Sequence, residues 1–220
     1  MKYMLLRGMI VAIITKVEIQ KKNKDKVNVF VDDEFYHGLY LDTCIKYSLR
    51  ENLEIDLERL NEIVLESEKY LAFNKVVAYI GEGLKTKKQI RDYLKKKEYS
   101  KNTIDYVIEK LIEYKYVDDE KYCETYVKTY RNKYGKNMLR VKLTEKGVSR
   151  EIIDDFLNDF ESVDDEVYGV LSKKLGNKTI TNELLSKTYR FMSSRGFSFD
   201  ETKSAIAKYK ELNNLSFEEE

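Results

Sequence analysis

The chain has no proline and no tryptophan, one histidine and two cysteines among its 220 residues. Each shortage excludes something. Without proline, no helix is broken by a locked φ or a missing N–H. Without tryptophan, much of the large apolar area falls to tyrosine, present 18 times. With His37 the only histidine, a Ser-His-Asp or Cys-His arrangement could be built at one place alone, in a strand-and-turn segment beside Gly38. Cys44 and Cys123 lie 79 positions apart, a spacing that fits no zinc motif. Buried free thiols, no disulfide and a reducing cytoplasm are the expectation. No run of 18 apolar residues exists, so no membrane span is expected. The apolar run Met9-Ile10-Val11-Ala12-Ile13-Ile14 passes into alternating Val17 and Ile19, which reads as a strand rather than a signal peptide. Met9 is an alternative start, with residues 1–8 as an upstream extension. A glycine-rich phosphate loop ending in Gly-Lys-Ser/Thr is missing, which excludes that class of NTPase. Asp154-Asp155 and Asp164-Asp165 read as solvated acids at helix ends rather than a Mg²⁺ nuclease site. No catalytic residue, metal or cofactor is expected.

What is present is charge, at 36% of residues, set against 42% hydrophobic content. That balance suits thin helical layers, each with one buried and one solvated face. The formal net charge of +1 conceals its distribution. Residues 85–117 carry +5 and 118–148 carry +3, whereas 149–170 carry −7. Clustered basic residues are a means of meeting phosphate or an acidic protein surface.

Val17 and Ile19, then Val27, Val29 and Val31, alternate with polar or outward residues across the polar stretch Lys21–Lys26. This predicts a hairpin, with Asp32-Asp33-Glu34 as the next turn and a third short strand at Phe35-Tyr36. A short helix carrying Leu41, Cys44, Ile45 and Leu49 would pack on it. Everything beyond residue 40 is predicted helical.

The chain also repeats itself. Segments 90–111, 139–160 and 188–209 align without gaps at a constant offset of 49. Leu94, Leu143 and Met192 share a column, as do Tyr99, Val148 and Phe197, and Ile108, Leu157 and Ile206. Ser100, Ser149 and Ser198 align as helix N-caps, each hydroxyl able to accept an orphan backbone N–H. Thr86 with Gln89, and Ser198 with Glu201, fit capping boxes. Gly147 and Gly196 stand where a helix ends and a left-handed residue is favoured; the first repeat has Glu98 there. With a further helix upstream of each pair, near 68–82, 119–134 and 164–175, every repeat has three helices. The expected organisation is a β-rich piece over 1–55 and a linker helix with the first repeat over 56–117. The second repeat would occupy 118–162, the third 163–212, and an acidic tail 213–220. The fold class is therefore mainly α: three tandem helix-turn-helix-like repeats, elongated, behind a small β-hairpin piece.

Val117-Asp118-Asp119-Glu120-Lys121-Tyr122-Cys123-Glu124-Thr125-Tyr126-Val127 resembles a pattern of the RecX family: Asp-Asp, an aromatic, then Tyr-Val on a helix. Lys136–Leu143 with Lys146-Gly147-Val148-Ser149 resembles the basic helix and glycine joint that follow it. Tyr189-Arg190-Phe191-Met192 with Arg195-Gly196-Phe197-Ser198 resembles the family's C-terminal repeat. The likeness covers about 68–210, and more loosely the hairpin. Glu98 departs from the usual glycine, and Tyr122-Cys123 from the commoner Phe-Ala. The resemblance implies a non-enzymatic cytoplasmic regulator of DNA repair, recombination and the SOS response. It would bind RecA protein and the RecA–single-stranded DNA filament, and inhibit recombinase, ATPase and co-protease activity. Direct contact with single- or double-stranded DNA is open, and a monomer is expected. A helix-turn-helix transcription regulator is the alternative from the repeats alone.

Candidate contact residues follow from helical spacing. Lys87, Arg91 and Lys95 fall at i, i+4 and i+8, with Lys88 beside them. Lys136 and Arg140 align with Lys87 and Arg91 by the repeat offset. Lys142, Lys146, Arg190 and Arg195 complete the basic set. Asp118 and Asp119 read mainly as a helix-starting acidic pair that favours the dipole, and secondarily as a partner contact.

Overall fold

The computed structural model describes residues 4–6, 9–158, 164–176 and 180–213. The acidic tail beyond 213, Asn177 of the Gly176-Asn177 joint and the last two residues of the 139–160 block lie outside them. The described residues form two compact units, one of Met1–Gly83 with Ile90–Tyr116, the other of Leu84–Gln89 with Val117–Glu220.

The first unit opens with β1 (Met4–Leu6), β2 (Met9–Ile19), β3 (Lys26–Val31) and β4 (Glu34–Tyr40), antiparallel in that order. Alternation decides the faces: Val27, Val29 and Val31 are at most 1% exposed, while Lys26, Asn28 and Phe30 are only partly covered. Asp32 and Asp33, both with positive φ, make the two-residue turn between β3 and β4. That geometry matches the right-handed twist of the strands it joins. Helix α1 (Leu41–Lys46) follows, burying Cys44 while Ile45 is exposed.

One expectation fails here. The chain is not wholly helical beyond residue 40, because β5 (Leu53–Asp56) pairs antiparallel with β2 from Val11 to Ile14. Four residues carry too little local pattern to announce a strand. Its hydrogen bonds come from β2, far upstream in the chain.

Helix α2 (Leu57–Gly81) is about 37 Å long at 1.5 Å per residue. Its first half places Leu60 and Ile63 in the same core as the sheet. Its second half buries Ala72 and Val76, next to α4 (Lys101–Glu113), which follows α3 (Lys87–Lys96). The second unit contains α5 (Asp119–Tyr130), α6 (Lys136–Lys146) and α7 (Arg150–Asn158), then α8 (Asp164–Leu175), α9 (Asn182–Ser194) and α10 (Phe199–Leu212). The mainly helical class, with three-helix repeats behind a small sheet, is what the structure has. The third helices begin at Lys101, Arg150 and Phe199, spaced by the same 49 residues as the sequence blocks. The second and third trios close on the columns already aligned: Leu143 and Leu157 are fully buried in one cluster, Met192 and Ile206 lie in the next.

The caps behave as their chemistry requires. Ser100 accepts from the Thr103 N–H, and Ser198 with Glu201 forms a full capping box. Thr86 and Gln89 exchange the same two bonds at the start of α3. Glu98 keeps the left-handed backbone of its glycine counterparts, with φ of 63° against 85° and 86° at Gly147 and Gly196.

The two glycines have a second reason to be glycine. A Cβ on Gly196 would stand 2.2 Å from the Met138 backbone nitrogen, and one on Gly147 2.3 Å from the Lys88 Cβ. In the second unit, Thr86 donates its hydroxyl to the Lys146 carbonyl, and Gly135 donates its N–H to the Arg195 carbonyl. Thr86 and Gly135, like Lys146 and Arg195, are related by the repeat offset. The start of a middle helix thus sits on a glycine joint 60 residues downstream. Glu98, which carries a Cβ, is exposed.

Candidate functional site

The basic candidates divide by what already holds them. Arg91 pairs with Asp105 at 2.6 Å in the first unit, and Arg140 pairs with Asp154 in the second. Both partners shift by the repeat offset, so one ion pair occurs twice. Hydrogen bonding from Arg140 holds the Asp154 carboxyl below its ordinary range, and Arg150 adds to this. Each pair is roughly a third exposed or more, so solvent screens it and its net contribution to stability is small. Lys142 pairs with Glu145 at 3.2 Å. Lys88 donates to the Glu145 carbonyl and Lys136 to that of Asn158.

Lys95 and Arg190 are exposed, Lys87 and Lys146 half-buried. Arg190 returns to the Ser186 carbonyl of its own helix. Lys87, Arg91 and Lys95 share one face of α3 by spacing, and Lys136 and Arg140 share one face of α6. The acidic pair has local work. Asp118 caps α5 by accepting from Glu120 and Lys121, and buried Asp119 accepts the Lys87 backbone N–H at 3.0 Å.

Arg195 has other company. Its guanidinium lies over the rings of Tyr134 and Phe191 at 5.6 and 5.3 Å. Beside it is an open pocket of about 450 Å³ lined by Asn132, Lys133, Val170, Lys173, Lys174, Phe191 and Arg195. Sequence reasoning put forward only Arg195 among these as a contact residue. The others come from the ends of α5, α8 and α9, which no local spacing relates.

Burial explains the thiols. Cys44 and Cys123 are free, buried and pushed up to about 11 by desolvation. The same cause, with neighbouring tyrosines added, pushes Tyr126 to about 12. Tyr126 stands in a file of Tyr122, Tyr126, Tyr130 and Tyr134, with successive centroids 6.0, 4.5 and 6.0 Å apart. His37 is exposed on β4. Among the described residues no group of three His, Cys, Asp or Glu is placed to hold a metal ion, and no helix is long and apolar enough to cross a membrane. Of the paired acids, Asp165 binds Lys208 at 2.6 Å and Asp154 binds Arg140.

Known proteins share this organisation. Residues 12–56 match the regulatory protein RecX N-terminal domain, 72–111 the first RecX three-helix domain and 118–157 the second. The regulatory protein RecX of Clostridium beijerinckii is 35% identical over 202 residues, covering 89% of this chain and 94% of its own length. That of Bacillus subtilis is 31% identical over 214 residues, covering 94% and 81%. A crystal structure of regulatory protein RecX aligns with a TM-score of 0.65 at 22% identity, over 89% of this chain and 99% of that one. The RecX crystal structure from Lactobacillus salivarius aligns at 0.57, over 64% and 96%.

Proposed function

We propose, because the chain belongs to the RecX family of regulatory proteins, that it acts by binding RecA and the RecA–single-stranded DNA filament. In this reading it inhibits the recombinase, ATPase and co-protease activities without chemistry of its own. It works as a monomer in the cytoplasm, where buried Cys44 and Cys123 stay reduced. Family membership carries the reading, and the basic faces of α3 and α6 supply its contact surface. Lys87, Arg91 and Lys95 lead on one helix, Lys136 and Arg140 on the other, with Lys88, Lys142, Lys146, Arg190 and Arg195 around them.

The test is RecA ATP turnover on single-stranded DNA with increasing amounts of this protein. Dose-dependent inhibition is expected. Unchanged turnover at saturating protein refutes the reading, and tight binding to one specific duplex in that case supports a transcription regulator instead. The surface is tested by Lys87→Glu with Arg91→Glu and Arg140→Glu. The folded triple variant should inhibit roughly tenfold less well, about 1.4 kcal/mol.

A further inference from the structure

The second unit carries a further cationic feature, a pocket at the ends of three helices. Lys133, Lys173, Lys174 and Arg195 surround the 450 Å³ pocket, and no carboxylate lines it. None of the four takes part in an ion pair among the described residues. A contrast is the 760 Å³ groove along α2 and α4, which includes Tyr70, Phe73 and Tyr106. Its Arg59 pairs with Glu62 and its Lys110 with Glu113, so that groove is close to neutral.

Helix dipoles give a simpler reason for cations here. Lys133 follows the end of α5, Lys173 and Lys174 are in the last turn of α8, and Arg195 caps α9. Each helix end carries roughly −0.5 of a charge, so three ends offset about 1.5. Four full positive charges leave an excess of about 2.5. The dipoles do not account for the cluster. The pocket also has a π surface, since Phe191 forms part of its wall with Lys174 5.0 Å from the ring centroid. Asn132 adds an amide that can donate or accept. The backbone around Arg195 is fixed by the bond from Gly135, so the site is held by the glycine joint rather than by a loop alone.

We infer that this pocket binds single-stranded nucleic acid, with phosphates on Lys133, Lys173, Lys174 and Arg195 and a base against Phe191. Cations that track a backbone beside an aromatic face are how sequence-tolerant single-strand sites are built. A duplex keeps its bases stacked inside and cannot offer one to a concave wall. The pocket's volume is in the range of small-ligand sites, which suits one nucleotide unit of a strand.

The experiment measures anisotropy of a labelled oligo(dT) titrated with the full chain, without RecA, so its result is independent of the filament reading. Binding should be tighter to oligo(dT) than to a duplex of equal length. Lys173→Glu with Lys174→Glu should weaken it roughly tenfold or more, and reduce the log–log salt slope by about 1.4, as for two lost single-strand phosphate contacts. Lys173→Gln with Lys174→Gln, at the same exposed positions, should reduce the slope by the same amount and weaken binding by less, since the two contacts are lost without added repulsion. Phe191→Leu keeps an apolar wall and should weaken binding roughly fivefold with the slope unchanged. Far-UV circular dichroism checks the fold of each. No binding by the parent, undiminished binding by both lysine pairs, equal affinity for duplex, or displacement by polyglutamate at equal charge would each overturn the assignment.

Discussion

Gly196→Ala tests the joint between the second and third repeats. Two contributions add. Alanine at φ of 86° takes on left-handed strain of about 1 kcal/mol. The new methyl then meets Met138 at three atoms: its N at 2.2 Å, its Cβ at 2.5 Å and its Cα at 2.9 Å. Two of these are backbone, so no rotamer change relieves the overlap and α6 must move. Moving it stretches the Gly135 N–H to Arg195 carbonyl bond at 2.9 Å and the Asn137 N–H to Gly196 carbonyl bond at 3.3 Å. Each contributes about 1 kcal/mol. The expected loss is therefore about 3 kcal/mol. In urea, with a slope of about 2 kcal/mol per M, the midpoint falls by about 1.5 M. Amide exchange at Gly135 and Asn137 should accelerate more than exchange in the sheet. Glu98→Gly is the control, with the same backbone hand at an exposed position. It relieves about 1 kcal/mol of strain but adds glycine's entropy, and should end between neutral and about 1 kcal/mol more stable. A loss of only about 1 kcal/mol for Gly196→Ala would mean strain alone and refute the close-approach argument.

Further outcomes follow from other parts of the molecule. Leu143→Ala, fully buried in the second repeat, should cost about 2–5 kcal/mol by the opened cavity, read from thermal or urea unfolding. Asp154 is held below its ordinary value by Arg140, so its contribution is present above the usual carboxylate range near about 4 and is lost as pH falls through the lower folded value. The stability gap between parent and Asp154→Asn should accordingly close on acidification; a gap that widens contradicts the pairing. Exchanging the partners, Arg140→Asp with Asp154→Arg, should recover stability relative to either single variant but not RecA inhibition, if the α6 face is the contact. Cys44 and Cys123 should resist iodoacetamide at pH 8 in the native protein and both react in denaturant, by mass spectrometry.

The features legible in the sequence are those whose cause is local. Caps at Ser100 and Ser198, left-handed joints at Gly147 and Gly196, and the Val27-Val29-Val31 alternation need only near neighbours. The 49-residue offset carried the three-helix repeats. Strand β5 was not legible, because Leu53–Asp56 is a strand only through its bonds to β2. Glu98 stands where the other two repeats have glycine, yet its backbone keeps the left-handed form. Spacing proposed Arg91 and Arg140 as contact residues. It could not reveal Asp105 and Asp154, which answer them from the next helix. The Lys133, Lys173, Lys174 and Arg195 pocket was illegible for a similar reason, since three helix ends must be brought together before it exists.

The glycine joints also set a timetable. Thr86 reaches a carbonyl 60 residues further along the chain, and Gly135 reaches Arg195 over the same distance. At about 5–20 residues per second, a ribosome delivers the socket some 3–12 s after the helix start that fills it. Until then the Thr86 hydroxyl and the Gly135 N–H have only water or each helix's own first turn. Synthesis therefore leaves one undocked helix start at the growing edge, and each newly emerged repeat closes the one before it.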